Sequence, residues 1–402
     1  MKQFFLAFCF LIYIQLFIGC SINHFQEITQ QISRIKVKYS PDSRTSLFNV
    51  KAIRNGGLAV TGETNVPNAY YELDSLLKAD FPEIKNLVAL LPDLSRDSLA
   101  MGIVTVSVAN LRATPDHSAE LLTQAILGTP VKVLKKELEW YLVQTPDAYL
   151  GWMTGAGLKL YTKNRFQKES NFNRIIFTEL AGTCYSQVDK NSMPVSDLVA
   201  GSILETKGSE TGFLEVSFPD GRTGYVNQDQ CMPLNEWNRS FPPSRESIVK
   251  TALQFNGLPY LWGGTSSKGV DCSGFTKTVY YMNGIILQRD ASQQALYGEL
   301  VDTRNNFNNL EPGDLLFFGT HKTDSTRERI SHVGIYIGNA KIIHASGMVK
   351  IDSLVSGDED YNSNLVATFI CARCILTCID QPGIQSVFSS KLYFPSSDDF
   401  NN

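Results

Sequence analysis

The sequence predicts a multidomain protein with a small N-terminal α+β module, two small all-β barrels and an α+β domain at its C-terminal end. Three observations carry this. At 402 residues the chain exceeds what one hydrophobic core ordinarily organises. A strand–Pro-Asp–strand pattern occurs twice, offset by 73 residues (146 to 219). Beyond the second copy, a cysteine stands before a helix-like run, and two histidines follow it in strand-like runs. A hydrophobic content of 43% and a charged content of 19% are those of a globular chain. The net charge of −4, with no polybasic run, argues against nucleic acid as a partner.

Met1-Lys2-Gln3 and the apolar run Phe4 to Ile18 have the build of a secretion signal over residues 1–19, too short for a comfortable membrane span. The run ends in Leu16-Phe17-Ile18-Gly19-Cys20, which resembles the lipobox of bacterial lipoproteins. That resemblance implies acylation of Cys20 and an exported protein, tethered to a membrane and facing the periplasm or cell envelope. Ordinary cleavage would instead give a soluble periplasmic or secreted protein.

Within residues 35–95, Thr45 to Ile53 and Leu58 to Gly62 alternate around Asn55-Gly56-Gly57, a hairpin signal. Tyr70 to Ala79 has helical spacing and Leu87 to Leu91 is apolar, so this module reads as β-β-α-β. The repeat comes next. Trp140-Tyr141-Leu142-Val143 with Pro146-Asp147 and Gly151-Trp152-Met153 aligns without gaps on Phe213-Leu214-Glu215-Val216 with Pro219-Asp220 and Gly224-Tyr225-Val226. Short apolar stretches with turn residues precede each copy, which predicts two small barrels over 102–161 and 176–234. Residues 162–175 and 235–246 read as polar connectors, and the serine- and aspartate-rich 385–402 as a loose tail.

The α+β domain is expected over 245–380. Asp271-Cys272-Ser273 precedes a helix-like run, so Cys272 is placed at a helix N-terminus, where unpaired backbone N–H groups favour a thiolate. His332, Gly334 and Tyr336 alternate with Val333, Ile335 and Ile337, and Gly338-Asn339 separates this strand from Lys341 to Ala345, which carries His344. On neighbouring strands the two imidazoles can reach one another. A thiol, a base and a group that orients the base are the parts that nucleophilic catalysis by cysteine requires.

Leu258-Pro259-Tyr260-Leu261-Trp262-Gly263-Gly264, Asp271-Cys272-Ser273-Gly274-Phe275, Arg289-Asp290-Ala291-Ser292-Gln293-Gln294, Leu310 to Phe318 and the two histidine segments together resemble the NlpC-type cell-wall cysteine peptidases, which have a papain-like fold. The resemblance implies hydrolysis of peptidoglycan stem peptides at the bond between D-γ-glutamate and a diamino acid, with no metal or organic cofactor. It assigns Cys272 as nucleophile, His332 as base and His344 as its orienter, puts Tyr260 near the oxyanion, and gives Asp271, Ser273 and Ser292 to substrate binding. The two barrels are similar to bacterial Src-homology-3-like domains. In the members that act on released wall peptides, the first barrel closes the substrate groove at its amino end. Asn110 to Pro115, Ser118 to Ala125 and Tyr149 to Trp152 match those segments, making Glu120 and Tyr149 candidates to meet a free L-alanyl ammonium. An endopeptidase or amidase acting on the intact sacculus is the alternative within the class. A non-catalytic wall-binding lipoprotein is the alternative outside it.

The chain has 8 cysteines. With Cys9 in the leader, Cys20 lipidated and Cys272 free, Cys184, Cys231, Cys371, Cys374 and Cys378 remain, an odd set that cannot all pair within one chain. Cys371-Ala372-Arg373-Cys374 lacks the second pair a zinc site needs, and its apolar surroundings read as a terminal strand.

Overall fold

The computed structural model describes residues 24–54, 57–93, 100–169, 173–304 and 307–396, so the expected leader and Cys20 lie outside the described residues. The chain divides into two compact units, Met1–Ser98 and Leu99–Asn402.

In the first unit, strands Phe48–Arg54 and Leu58–Thr64 pair antiparallel, and Leu58–Thr64 also pairs parallel with Lys85–Leu90. Helix Pro67–Asp80 supplies the crossover that a parallel pair requires. A helix over 24–39, ahead of the expected start at residue 35, completes the layer. It contributes Ile28, Ile32 and Ile35 to a core with Val60, Leu73 and Leu77. Their spacing of four and then three residues is the helical signal in the sequence.

The second unit opens with the two barrels. The first is built from strands Met101–Val104, Val108–Arg112, Leu121–Ile126, Pro130–Glu137, Trp140–Gln144, Leu150–Thr154 and Leu158–Tyr161. The second uses Arg174–Phe177, Ala181–Tyr185, Pro194–Val199, Ile203–Glu210, Phe213–Ser217, Thr223–Asn227 and Cys231–Pro233. Numbered within each copy, the strands stand in the same spatial order, 7-1-4-5-6-2-3. Equivalent turns carry Gly128 at φ +83° and Gly201 at φ +85°. Both are close approaches as well as left-handed positions: a Cβ would lie 2.2 Å from the Ile203 carbonyl oxygen at the first and 2.5 Å from the Tyr281 ring at the second. The barrels therefore touch each other and the domain that follows.

That domain is a six-stranded antiparallel sheet in the order Glu299–Val301, Phe369–Cys374, Leu315–Thr320, Arg329–Gly338, Lys341–Ser346, Met348–Ser353. Helix Cys272–Met282 packs across it, burying Phe275 and Val279 against Phe317, Val333 and Ile343. Helix Arg245–Gln254 covers the same core through Ile248 and Ala252. The Pro312-Gly313-Asp314 turn ties these layers together. Its Gly313 carbonyl accepts from the Tyr280 hydroxyl at 2.5 Å, and Asp314 takes Arg245 at 2.9 Å. Asn339 and Ala340, at φ 53° and 54°, make the tight turn between the two histidine strands.

Two expectations need correction. The connectors are not merely polar linkers: each contains a short helix, Lys163–Glu169 and Leu234–Arg239, anchored by one buried aromatic, Phe166 and Trp237. Nor is the tail loose through its described part. Strand Ile384–Ser386 pairs with Ile285–Leu287, and Val387 and Tyr393 are buried. Serine composition suggested mobility, but the apolar residues between the serines are enough to seat the segment. The six described cysteines are free thiols.

Ending the chain after Gly383 should therefore lower the unfolding free energy by about 3 kcal/mol or more, from loss of buried Val387 and Tyr393. Denaturant titration measures this, and an unchanged midpoint would mean the segment is a loose tail after all.

Candidate active site

Cys272 opens the helix Cys272–Met282, and Asp271 caps it. The Gly274 amide donates to Asp271 Oδ1 at 2.7 Å, and the Gly263 amide to Oδ2 at 2.9 Å. Arg289 approaches the same carboxylate with two nitrogens, at 3.0 and 2.5 Å, and donates to Ser273 Oγ at 3.0 Å. This fork-to-fork pair is 2% and 8% exposed at its side chains. A buried aspartate of this kind fixes a helix end and two loops at once. Because its lone pairs are filled, Asp271 cannot also offer its carboxylate to a substrate, so its expected direct contact is corrected to a positioning role. Ser273 is likewise buried and held by Arg289.

His332 and His344 lie on adjacent strands with 2.7 Å between His332 Nε2 and His344 Nδ1. On the next strand Asp352 Oδ2 stands 3.1 Å from His344 Nε2. These two contacts settle the tautomers. A carboxylate only accepts, so His344 Nε2 carries the proton and donates to Asp352, leaving His344 Nδ1 as an acceptor. His332 Nε2–H donates to it. The basic lone pair of His332 is thus on Nδ1. Asp352 is itself held by Asn362 at 2.5 Å and Lys350 at 3.1 Å, and these contacts keep its carboxyl below the usual range despite its burial.

The amides of Val333, next to His332 in the chain, and of Ser273 favour the charged form of the Cys272 sulfur. The helix that carries Cys272 packs on the histidine strand through Phe275, Val279 and Val333. Burial pushes the Cys272 thiol up to about 11, with Asp271 adding to the rise and the two amides and Arg289 opposing it. The helix terminus favours a thiolate, as expected from the sequence, but desolvation outweighs it. Burial likewise pushes His332 down to about 3, the nearby His344 adding to the fall, and it lowers His344. Burial thus disfavours either charge taken alone.

Tyr260 is half-buried beside this centre. Burial and then Cys272 raise its hydroxyl to about 12, so it remains a hydrogen-bond donor at neutral pH. Its backbone is fixed by the Gly347 carbonyl at 3.0 Å, in the turn between the His344 and Asp352 strands. Ser292 is half-buried in the short helix Ala291–Gln294, which follows Arg289 and Asp290.

The two barrel candidates reach the loops on either side of Asp271. The Trp262 indole N–H donates to Glu120 Oε1 at 2.9 Å, next to the Gly263 amide that binds Asp271. The Tyr149 hydroxyl donates to Asp290 Oδ2 at 3.0 Å, next to the Arg289 that pairs with Asp271. Two carboxylates, Glu120 and Asp290, thus stand at the seam between the first barrel and the α+β domain. Sequence reasoning had not singled out Arg289, Asp290, Asp352 or Asn362. Alternation along Met348–Ser353 puts Asp352 on the same face as Lys350, which lies opposite His344, and that was the available signal for it.

The fold and the cysteine–histidine–histidine–aspartate arrangement define a papain-like cysteine peptidase carrying Src-homology-3-like barrels. Residues 257–366 match the NlpC/P60 family and residues 107–159 the bacterial SH3 domain. The chain is 30% identical over 278 residues to dipeptidyl-peptidase 6 of Lysinibacillus sphaericus, covering 66% of this chain and 96% of that protein. It is 30% identical over 258 residues to a gamma-D-glutamyl-L-lysine dipeptidyl-peptidase of Bacillus subtilis, covering 62% and 80%. The crystal structure of an NlpC/P60 family protein from Bacillus cereus superposes with a TM-score of 0.59 at 25% identity, over 68% of this chain and 99% of that one. This chain belongs to the NlpC/P60 family of cysteine peptidases.

Two outcomes follow from the relay. Because His332 is displaced downward from 6.5, its imidazole stays neutral and able to accept a proton as the pH falls from 7 to 5. The acidic limb of kcat/KM should lie below pH 6.5, and a pH–rate profile with an inflection at 6.5 would show a solvated base instead. Asp352→Asn keeps an acceptor for His344 Nε2–H, because Asn362 and Lys350 donate to the same oxygen, but removes the counter-charge that an imidazolium would need. We expect kcat to fall on the order of 10²–10⁴-fold, by steady-state kinetics on folded protein.

Proposed function

We propose that the protein hydrolyses the γ-D-glutamyl–diamino acid bond of peptidoglycan stem peptides whose N-terminal L-alanine is free. The named activities of the relatives support the bond, since two of them are dipeptidyl-peptidases and one name specifies a gamma-D-glutamyl-L-lysine linkage. The observation that carries the finer claim is the pair of contacts across the seam, Glu120 with Trp262 and Tyr149 with Asp290. A barrel surface bearing a carboxylate closes one end of the site. An ammonium bound there is matched by the carboxylates Glu120 and Asp290, whereas an acylated nitrogen brings bulk and no charge.

In this mechanism His332 Nδ1 takes the thiol proton as the Cys272 sulfur bonds the γ-carbonyl carbon of D-glutamate. The Tyr260 hydroxyl and neighbouring amides donate to the oxygen as it gains charge. The tetrahedral centre collapses by breaking the carbon–nitrogen bond, while imidazolium passes its proton to the departing amine. Water then adds to the thioester, giving its proton to His332, and the dipeptide leaves as the thiol is restored. His344 and Asp352 hold the imidazole in one tautomer throughout.

Hydrolysis of L-Ala-γ-D-Glu-diamino-acid, with and without an N-acetyl cap, followed by mass spectrometry, tests this. Release of L-Ala-D-Glu from the free-amine peptide alone is the expected result, and Cys272→Ala should abolish it without loss of folding. Equal cleavage of both forms would favour an endopeptidase on intact sacculus, and cleavage of neither would favour the non-catalytic wall-binding reading. Export and lipidation at Cys20 remain part of the proposal, and metabolic labelling with a fatty acid, lost in Cys20→Ala, is their measurement.

A further inference from the structure

The internal repeat supplies a built-in comparison at the turn that bears Tyr149. In the first barrel the Thr145 amide bonds the Tyr149 carbonyl at 3.0 Å and the Ala148 amide bonds the Thr145 carbonyl at 2.8 Å. In the second, the corresponding Phe218 amide bonds the Arg222 carbonyl at 2.8 Å and the Gly221 amide bonds the Phe218 carbonyl at 3.0 Å. Ala148 and Gly221 both have positive φ, 65° and 98°. The backbone frame is the same, and each copy carries an aspartate in it, Asp147 and Asp220.

The side chains have parted. In the second barrel Asp220 is satisfied within its own turn, accepting the Arg222 Nε–H at 2.8 Å, with the two side chains about a third exposed at 34% and 38%. In the first barrel Tyr149 replaces that arginine and turns to Asp290. Asp147 reaches out of the turn to Lys277 Nζ at 2.5 Å, on the nucleophile helix, with side-chain exposures of 1% and 16%. A charge pair sunk in a domain seam is a costly way to hold two surfaces together, and what it provides best is one register.

We propose that the Lys277–Asp147 pair is a positioning and specificity-determining device. It locks the turn bearing Tyr149 onto the nucleophile helix, and so fixes the distance between the amine-binding end of the groove and Cys272. The inference rests on the proposed free-amine selectivity and adds the residues that set it. Neither partner touches substrate. Lys277 lies five residues along the helix from Cys272, and Asp147 two residues before Tyr149, so one buried pair couples the two ends of the bound dipeptide unit.

The test is steady-state kinetics of the full chain on the free-amine and N-acetylated tripeptides, for Lys277→Met, Asp147→Asn and the exchanged pair Lys277→Asp with Asp147→Lys. For each single variant kcat/KM on the free-amine peptide should fall about 10–100-fold, chiefly through KM, the scale expected when a bound group is misplaced by about 1 Å. The slow residual cleavage of the acetylated peptide, read at high enzyme concentration, should be unaffected, so the discrimination ratio collapses, and the rate of Cys272 alkylation by iodoacetamide should stay within about twofold. The exchanged pair should recover part of the ratio, and Asp220→Asn, the equivalent change in the second barrel, should leave it intact. An unchanged ratio in both single variants would overturn the proposal. So would equal losses on both peptides with alkylation falling in step, because that is the signature of a merely structural pair. A parent enzyme that cleaves both peptides equally would instead overturn the free-amine reading, before any variant is compared.

Discussion

The buried pair of Asp271 and Arg289 is the constraint on which the rest of the site depends. One carboxylate caps the helix that presents Cys272, fixes the Gly263 amide beside the barrel, and accepts both prongs of a guanidinium that is itself almost wholly buried. Removing either partner would leave the other charged in the interior, a loss of about 3–5 kcal/mol, larger than any single apolar contact around it provides. Close approach reinforces it. At Gly274, in the first turn, a Cβ would lie 1.9 Å from the Gly264 carbonyl oxygen, so the loop before the helix can fold back only over glycine. Short-range chemistry of this kind fixes the helix end that presents the thiol.

The barrels extend that constraint outward. Hairpin Thr265–Ser266 with Gly269–Val270 leads directly into Asp271, and both barrels grip it. In the first, Gln124 exchanges hydrogen bonds with Thr265 and takes the Ser266 hydroxyl at 3.0 Å. In the second, the repeat-equivalent Asp197 pairs with Lys268, and the Ala200 amide bonds Ser267 Oγ at 3.2 Å. Equivalent strand positions in the two copies therefore brace neighbouring residues of one hairpin. The two copies share one frame, and with Tyr149 where the second copy has Arg222, the first turns toward Asp290.

How much of this was legible in the chain varied with the range of the interaction. The thiol, its helix and the two histidine strands were legible because period-2 and period-3.6 patterns are local, and because the Asn339 turn sets the pairing of the strands. The second barrel was legible because a repeat needs no knowledge of contacts. Asp352 was not singled out, because a lone carboxylate on a polar strand face gains meaning only once that strand is known to neighbour His344. Arg289 stood in a recognised segment, yet its role depends on a partner 18 residues away on another element. The end of the chain was misread because composition was weighed over pattern: serines dominate it, but Val387 and Tyr393 decide where it goes.

The two opposing shifts at the centre give the site its chemical logic. Burial pushes the Cys272 thiol up and the His332 imidazole down, so it opposes either ion taken alone. In the proposed mechanism the thiolate's charge is consumed as the carbon–sulfur bond forms, and it reappears on an oxygen to which the Tyr260 hydroxyl would donate. The imidazolium, in turn, gains Asp352 through His344 as a counter-charge across two hydrogen bonds, without moving either ring. Proton transfer and attack are therefore bound to one another. In a site arranged this way, full nucleophilicity of the sulfur comes with the acyl group that the thiolate attacks.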